Sequence, residues 1–467
     1  MTKIPLCLLA LALAGCTMIP KYERPAAPVA PNFPGNVATQ AAPEASELAW
    51  RDFFSEERLT DLIGLALTNN RDMRIAALNV EQSQAAYRIT RSALLPTVNG
   101  AGAYNRSRVL GVFPDSKGNL SASYFTTYNW SAGLGTTAYE VDFFGRVRSL
   151  NRQALEKYFA TAEARRSAQI SLVAAVADQY FAEREAQEQL ELARRTLDTV
   201  QHGYDLNKSM FDAGASSELD VRTAEGQVET AKINLVTYER ALAQAENYLT
   251  LLVGEPLPDG LPTPRPFWDT NLLTEVHAGL PSELALRRPD ILAAEHTLLA
   301  ANADIGAARA AFFPTVTLTG SVGTSSLEFS KLFKGAAGVW SFAPQVTVPI
   351  FTGGQNRAQL DAAKLGKLIE VAAYERAIQT AFREVADALA ANETYARQMR
   401  EQAALTATQQ RRFDLADARY RQGEDTYLNV LSAQVDLYRS QQDLLQTQFD
   451  KLASQISLYR ALGGGWK

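Results

Sequence analysis

Beyond an N-terminal arm, the chain states nearly the same pattern twice. Asp72 through Leu94-Leu95-Pro96-Thr97-Val98 aligns without a gap on Asp290 through Phe312-Phe313-Pro314-Thr315-Val316, with Ala76/Ala294, Ala85/Ala303 and Arg91/Arg309 in register. A second block repeats Tyr204-Asp205-Leu206 as Phe413-Asp414-Leu415 and carries on through Gly214/Gly423, Leu219/Leu428, Val221/Val430, Ala224/Ala433, Leu249/Leu458 and Gly254/Gly463. Self-similarity of this length means that one supersecondary unit is built twice and that the two copies must find equivalent surroundings. The layout is then 51–254 for the first copy, a Pro-rich connection over 255–280, 281–463 for the second copy and a short tail over 464–467. Residues 16–50, with Pro20, Pro25, Pro28, Pro31, Pro34 and Pro43, read as an extended arm.

Each copy predicts the same order of elements: a helix, two strands and a long helical hairpin. The leading helix ends where Pro96 or Pro314 forbids its continuation. The period then changes from 3.6 to 2. In the second copy Val316, Leu318, Gly320 and Val322 alternate with Thr317, Thr319 and Ser321, and Trp340, Phe342, Val346, Val348 and Ile350 with Ser341, Ala343, Gln345 and Thr347. In the first copy Tyr128, Trp130, Ala132 and Leu134 alternate with Thr127, Asn129, Ser131 and Gly133. The strands are expected at about 97–109, 123–143, 315–325 and 338–351. Alternation with interfacial Trp and Tyr fits a membrane barrel, and a half-buried strand of a soluble sandwich alternates in the same way.

After Gly145 and Gly354 the pattern turns helical for some sixty residues, breaks near Gly214 or Gly423, and returns. The returning helix of the first copy spaces Val221, Ala224, Val228, Ala231, Leu235, Tyr238, Leu242, Ala245, Leu249 and Leu252 alternately by three and four, as a coiled-coil seam does. The second copy keeps a seven-residue ladder at Leu431, Tyr438, Leu445, Leu452 and Tyr459. A sixty-residue helix is roughly 90 Å long, more than one globular domain needs.

The N-terminus argues for a membrane address. Lys3 precedes an apolar run from Ile4 to Leu13, and Leu13-Ala14-Gly15-Cys16 follows at once. Residues 1–15 are expected to be a signal peptide, and small residues ahead of a cysteine resemble the lipobox of bacterial lipoproteins, so Cys16 is the expected lipid attachment. Thr17 after that cysteine favours, by the same resemblance, the outer membrane. Cys7 would leave with the signal, so no disulfide could form within a protomer. No later run of about 18 apolar residues predicts a membrane helix, so a crossing would have to be made by strands. One chain offers four of them. Two copies would close an eight-stranded barrel filled by its own side chains, and three a twelve-stranded barrel with a lumen.

The net charge of −5 is spread along the chain, and no basic stripe marks a nucleic-acid partner. G-x-x-x-x-G-K-[ST], H-E-x-x-H, C-x-x-C and G-x-S-x-G are all missing, and His202, His277 and His296 are scattered, so neither an enzyme, a metal site nor a cofactor is expected. A structural coiled-coil lipoprotein would explain the heptads and the anchor, but not four alternating strands between helices.

The runs Tyr139-Glu140-Val141-Asp142-Phe143-Phe144-Gly145-Arg146-Val147-Arg148, Arg288-Pro289-Asp290-Ile291, Ile305-Gly306-Ala307-Ala308-Arg309-Ala310-Ala311-Phe312-Phe313-Pro314, Pro349-Ile350-Phe351 and Ala461-Leu462-Gly463-Gly464-Gly465-Trp466 resemble TolC-type outer-membrane factors, specifically the lipoprotein branch serving resistance–nodulation–division efflux pumps. The resemblance covers the chain beyond the signal. It implies a homotrimer, a twelve-stranded barrel continued by a periplasmic α-helical barrel, and a passive exit duct for drugs or other toxic small molecules and ions. It implies as partners a periplasmic adaptor protein and an inner-membrane pump; the duct of a type I protein secretion system is the alternative within the family. By the same resemblance Gly214 and Gly423 form adaptor-docking tips, and an Asp220–Tyr420 bond helps hold the periplasmic entrance closed. Asn429 and Ser432 stand where relatives often have acidic side chains, and Asp425 stands where some are basic.

Overall fold

A computed structural model describes residues 17–34, 49–114, 118–270, 272 and 287–466. The expected lipid attachment at Cys16 and the signal 1–15 lie outside the described residues. Among the described residues eight α-helices and four strands follow one another: α1 (Trp50–Phe53), α2 (Glu57–Asn69), α3 (Arg71–Ser92), β1 (Asn99–Pro114), β2 (Leu120–Val141), α4 (Arg146–Asp212), α5 (Glu218–Val253), α6 (Pro289–Ala310), β3 (Thr315–Ser326), β4 (Gly338–Thr347), α7 (Gln355–Arg421) and α8 (Tyr427–Ala461). The duplication survives to the residue: α4 and α7 are both 67 residues long, about 100 Å of helix each. No helix among the described residues is long and apolar enough to cross a membrane.

Two compact units divide the chain, and they cut across the two copies instead of separating them. The first unit takes the described residues of Met1–Pro25, Glu81–Ala160 and Glu295–Ala373. Its centre is one antiparallel sheet in the order β1-β2-β3-β4, so one hairpin comes from each copy and β1 and β4 are left as edges. The register keeps the alternation in phase across all four strands. Leu134 pairs with Val322 and Val322 with Trp340 on one face, while Gly135, Ser321 and Ser341 line up on the other. The hydroxyls of Ser321 and Ser341 meet at 2.8 Å, as do those of Ser107 and Thr127. A bulge between Thr136 and Tyr139 re-aims β2, with Ala138 at φ 51 and its N–H donated to Thr319 Oγ1. The first hairpin runs further out than the alternation implied, pairing as far as Pro114↔Leu120, and β4 ends at Thr347, short of Val348 and Ile350.

The strand-to-helix corner explains the run from Tyr139 to Arg148. Gly145 takes φ 76 at the turn. Glu140 receives a bidentate pair from Arg146 at 2.9 and 2.5 Å, and Asp142 accepts from the Arg148 backbone N–H at 2.9 Å, tying the end of β2 to the first turn of α4. The arm lies along α6: Glu295 accepts from Tyr22 Oη and from both forks of Arg24, Asn302 donates to the Pro20 carbonyl, and Ile19 packs so closely on Gly306 that a Cβ there would stand 2.7 Å from Ile19 Cγ1.

The second unit takes the described residues of Ala26–Val80, Thr161–Ala294 and Tyr374–Lys467 and holds the main apolar core. Phe53 stacks on Tyr459 at 4.1 Å, with Phe54 edge-on, among Leu59, Leu62, Ile63, Val176, Tyr180, Leu249 and Ile456. The Arg288-Pro289-Asp290 run is structural here. The buried Arg288 guanidinium donates to Asp290, Glu384 and the Ala461 carbonyl, which satisfies it fully enough to stay charged. The α5 seam faces inward at all ten expected positions, deepest at Ala224, Val228, Ala231, Ala245 and Leu249. On α8 the buried stripe near the turn is Tyr427, Val430, Ala433, Leu437 and Ser440 instead of the expected Leu431 and Tyr438, which flank it half-buried. Small residues at the seam let helices approach closely, and a ladder counted on Leu and Tyr misses them.

Candidate functional site at the hairpin tips

Two helical hairpins, α4–α5 and α7–α8, end in turns built alike. Gly214 and Gly423 adopt φ 77 and φ 74 with open space where a Cβ would go, so the left-handed backbone is what selects glycine there. Around them the same two bonds close each helix: Gly214 N–H to the Phe211 carbonyl and Ala215 N–H to Met210, then Gly423 N–H to Tyr420 and Glu424 N–H to Arg419. The entry to α5 is a full capping box, in which the Asp220 N–H donates to Ser217 Oγ and the Ser217 N–H to Asp220 Oδ2, and Ser217 Oγ–H adds a 2.7 Å bond to the same carboxylate.

That cap changes the expected pairing of Asp220 with Tyr420. Asp220 bonds only its own turn, Ser216 and Ser217, and no bond joins it to Tyr420. Tyr420 is 8% exposed and donates its hydroxyl to Asn207 Oδ1 on α4 at 2.7 Å, with Met210 Sδ beyond at 3.7 Å. The physical reason is local: a carboxylate three residues into a helix reaches the free N–H groups of its first turn at less entropic cost than a side chain on another hairpin. Asp220 still acts on the phenol through space. Burial first, and the Asp220 charge second, hold the Tyr420 hydroxyl above its ordinary pKa. Tyr427, 5.5 Å away ring to ring, is pushed up to about 12, chiefly by burial. Both phenols are therefore neutral donors at physiological pH. Around them Ala224, Val430, Tyr204, Met210 and Phe413 bind the two hairpins of one protomer into a single apolar cluster.

The remaining expected residues lie on the outside of this cluster. Asp425 accepts from the Thr426 N–H at 2.8 Å and from Asn429 Nδ2 at 2.6 Å, and Arg419 stands 3.5 Å from its second oxygen. Those donors, Asn429 foremost, hold the Asp425 carboxyl below its usual range. Ser432 accepts from Arg412, whose other nitrogen meets Asp436 at 2.5 Å. Thus Asp425 with Asn429 and Ser432 with Arg412 make two separate polar groups, and neither touches Asp220.

Asn207, Tyr427, Arg412 and Asp436 escaped the sequence reading. One signal was available. In the register of the repeat Asn207 faces Ala416, Tyr427 faces Glu218 and Tyr420 faces Phe211. Positions where two otherwise matching copies disagree are where the halves must meet each other and cannot be equivalent. No group of three or more His, Cys, Asp or Glu side chains among the described residues is placed to hold a metal.

The outer membrane efflux protein family matches residues 62–255 and 280–464. The solvent efflux pump outer membrane protein SrpC of Pseudomonas putida is 47% identical over 461 residues, covering 98% of this chain and 97% of its own length. The outer membrane protein OprJ of Pseudomonas aeruginosa is 44% identical over 460 residues, covering 98% and 95%. Among solved structures, the open state of the MtrE outer membrane channel of Neisseria gonorrhoeae superposes with a TM-score of 0.87 at 40% identity, covering 97% of this chain and 99% of that one.

Proposed function

The chain belongs to the outer membrane efflux protein family, and from that premise we propose that three copies form the outer-membrane exit duct of a tripartite efflux pump. The observation that carries this reading is the sheet. One protomer holds four strands with one apolar face, one hydroxyl-lined face and two unpaired edges, β1 and β4. Unpaired edges are untenable in lipid and an exposed apolar face is untenable in water; closure with further copies pairs the edges, and the bilayer covers the face. Three copies supply twelve strands, with Trp340, Val322 and Leu134 toward lipid and the Ser and Gly rows lining a wet lumen.

The duplication supports assembly from several copies as well. Copy two's leading helix is covered within its own protomer, where Ala307 is 9% exposed, while the equivalent Ile89 on α3 stands 74% exposed. Equivalent helices demand equivalent surroundings, so a neighbouring copy covers α3. The hairpin tips form the entrance, and Tyr420 with Asn207, the Tyr427 ring, and the Arg412–Asp436 and Arg419–Asp425 pairs are the contacts that set its resting width. A helical adaptor docks at Gly214 and Gly423 and leads back to an inner-membrane pump. Cys16 carries the acyl anchor. Relatives named for solvent, toluene and antibiotic efflux make small organic molecules the cargo class.

Reconstitution tests this reading. The purified chain should migrate as a trimer and give stable single-channel conductance in planar bilayers, and deletion should sensitise cells to organic solvents. A monomer without conductance overturns it.

A further inference from the structure

We propose that the outer face of the β1–β2 hairpin binds the phosphorylated headgroups of glycolipids in the outer leaflet, through Arg106 and Arg108. The inference rests on the barrel reading above, which assigns the apolar face of the sheet to lipid. On that face β3 runs eleven residues from Val316 to Ser326, about 25 Å of bilayer at a barrel's usual strand tilt. At its far end Trp130 packs against Tyr104 with ring centroids 4.2 Å apart and meets Phe329 edge-on at 5.0 Å, an aromatic girdle where hydrocarbon gives way to headgroups.

The register places Arg106 opposite Tyr128, two residues beyond Trp130 on the same face, and Arg108 two residues further. The Arg106 guanidinium lies 5.4 Å over the Tyr128 ring and that of Arg108 4.7 Å over Tyr124. Both arginines are exposed, and neither meets a carboxylate among the described residues. Stacking holds a guanidinium flat and leaves its N–H edge free, the geometry that takes two phosphate oxygens at once. Beyond the girdle the described residues carry Arg106, Arg108, Lys331 and Lys334 against Glu328 alone, in a chain whose net charge is −5. Past the two arginines the same face presents Tyr124, Leu110 and Val112, flat apolar surface of the kind on which sugar rings rest. Acyl chain, phosphate and sugar thus meet, in order, apolar, cationic and aromatic surface.

The test titrates purified wild-type trimer in detergent with a bis-phosphorylated acylated disaccharide lipid, its dephosphorylated form, and inorganic phosphate. The phosphorylated lipid should bind at least about tenfold more tightly than the dephosphorylated one, and R106Q/R108Q should lose that preference, whereas R106K/R108K should keep part of it. Equal binding of both lipids, or an unchanged preference in R106Q/R108Q, overturns the proposal. So does an equal effect of inorganic phosphate, which would mark a general anion patch. The lipid comparison on wild type decides the matter even if the variants do not assemble. Conductance of the same preparation keeps the two readings apart: a conducting trimer with no lipid preference sinks this proposal alone, and a non-conducting protein sinks the barrel reading with it.

Discussion

Tyr420 shows how a single side chain can be placed correctly and paired wrongly. It lies at the tip and is buried, but it donates to Asn207, while Asp220 caps its own helix. Two independent costs follow. Tyr420→Phe should open the tip by about 1 kcal/mol through the lost bond, and Asp220→Ala by about 1 kcal/mol through the lost cap. A double-mutant cycle read by hydrogen exchange at the tips should give larger coupling for Tyr420 with Asn207 than for Tyr420 with Asp220. The reverse order would restore the direct lock.

A second residue responds to pH. Asp178 on α4 is half-buried, with its Oδ1 enclosed and accepting no hydrogen bond, and desolvation lifts its pKa to about 6, against the opposing charge of Arg460. Its folded value lies above the unfolded 3.8, so stability is highest below about pH 4 and falls as pH rises through 6. At pH 7 the ionised group costs of order 1–3 kcal/mol. Asp178→Asn should raise the melting temperature at pH 7 and flatten its dependence between pH 4 and 6. A variant that melts lower at pH 7 than at pH 4 by as much as wild type would place the titration elsewhere.

At the scale of elements, the junction between the two copies is the β2–β3 pair, and it is unusually close. Gly133 and Gly323 face each other, and a Cβ on Gly133 would stand 2.7 Å from the Val322 carbonyl oxygen and 2.9 Å from Gly323 Cα. Backbone on both sides cannot yield as a flexible side chain can. Gly133→Ala should therefore cost about 1–3 kcal/mol per chain and lower the yield of trimer on semi-native gels. Gly102→Ala, whose Cβ would meet nothing nearer than Ser131 O at 3.9 Å, is the matched control and should assemble normally. Among helices, the α5 seam was legible because Val, Leu and Ala repeat strictly. The α8 stripe was not, since near the turn it runs through Tyr427, Val430, Ala433, Leu437 and Ser440, one residue away from the seven-residue ladder of Leu431 and Tyr438.

For the whole molecule, the exposed face of α3 separates folding from assembly. Ile89 touches little within one protomer, and its equivalent in the second copy is covered. Ile89→Asp should leave the helix content of the protomer intact, because nothing buried in it is disturbed. It should abolish the trimer, because a neighbour's helices would then bury an unpaired carboxylate. Native mass spectrometry separates the outcomes, and an assembled Ile89→Asp trimer would mean that another surface covers α3.

How far the sequence reaches depends on the range of the force involved. Period, duplication and helix ends are local: Gly214 and Gly423 need left-handed backbone, Pro96 and Pro314 stop helices, and alternation marks which face of each strand is apolar. Those features are written in neighbouring residues, and the sequence determined them without help. Pairing is another matter. Which acceptor Tyr420 meets, and why Arg288 donates to Glu384 and the Ala461 carbonyl together, depend on residues brought together only by folding. A short polar side chain has several partners within reach, differing by about 1 kcal/mol, so only the packed tertiary structure, which fixes their distances and excludes water, decides among them.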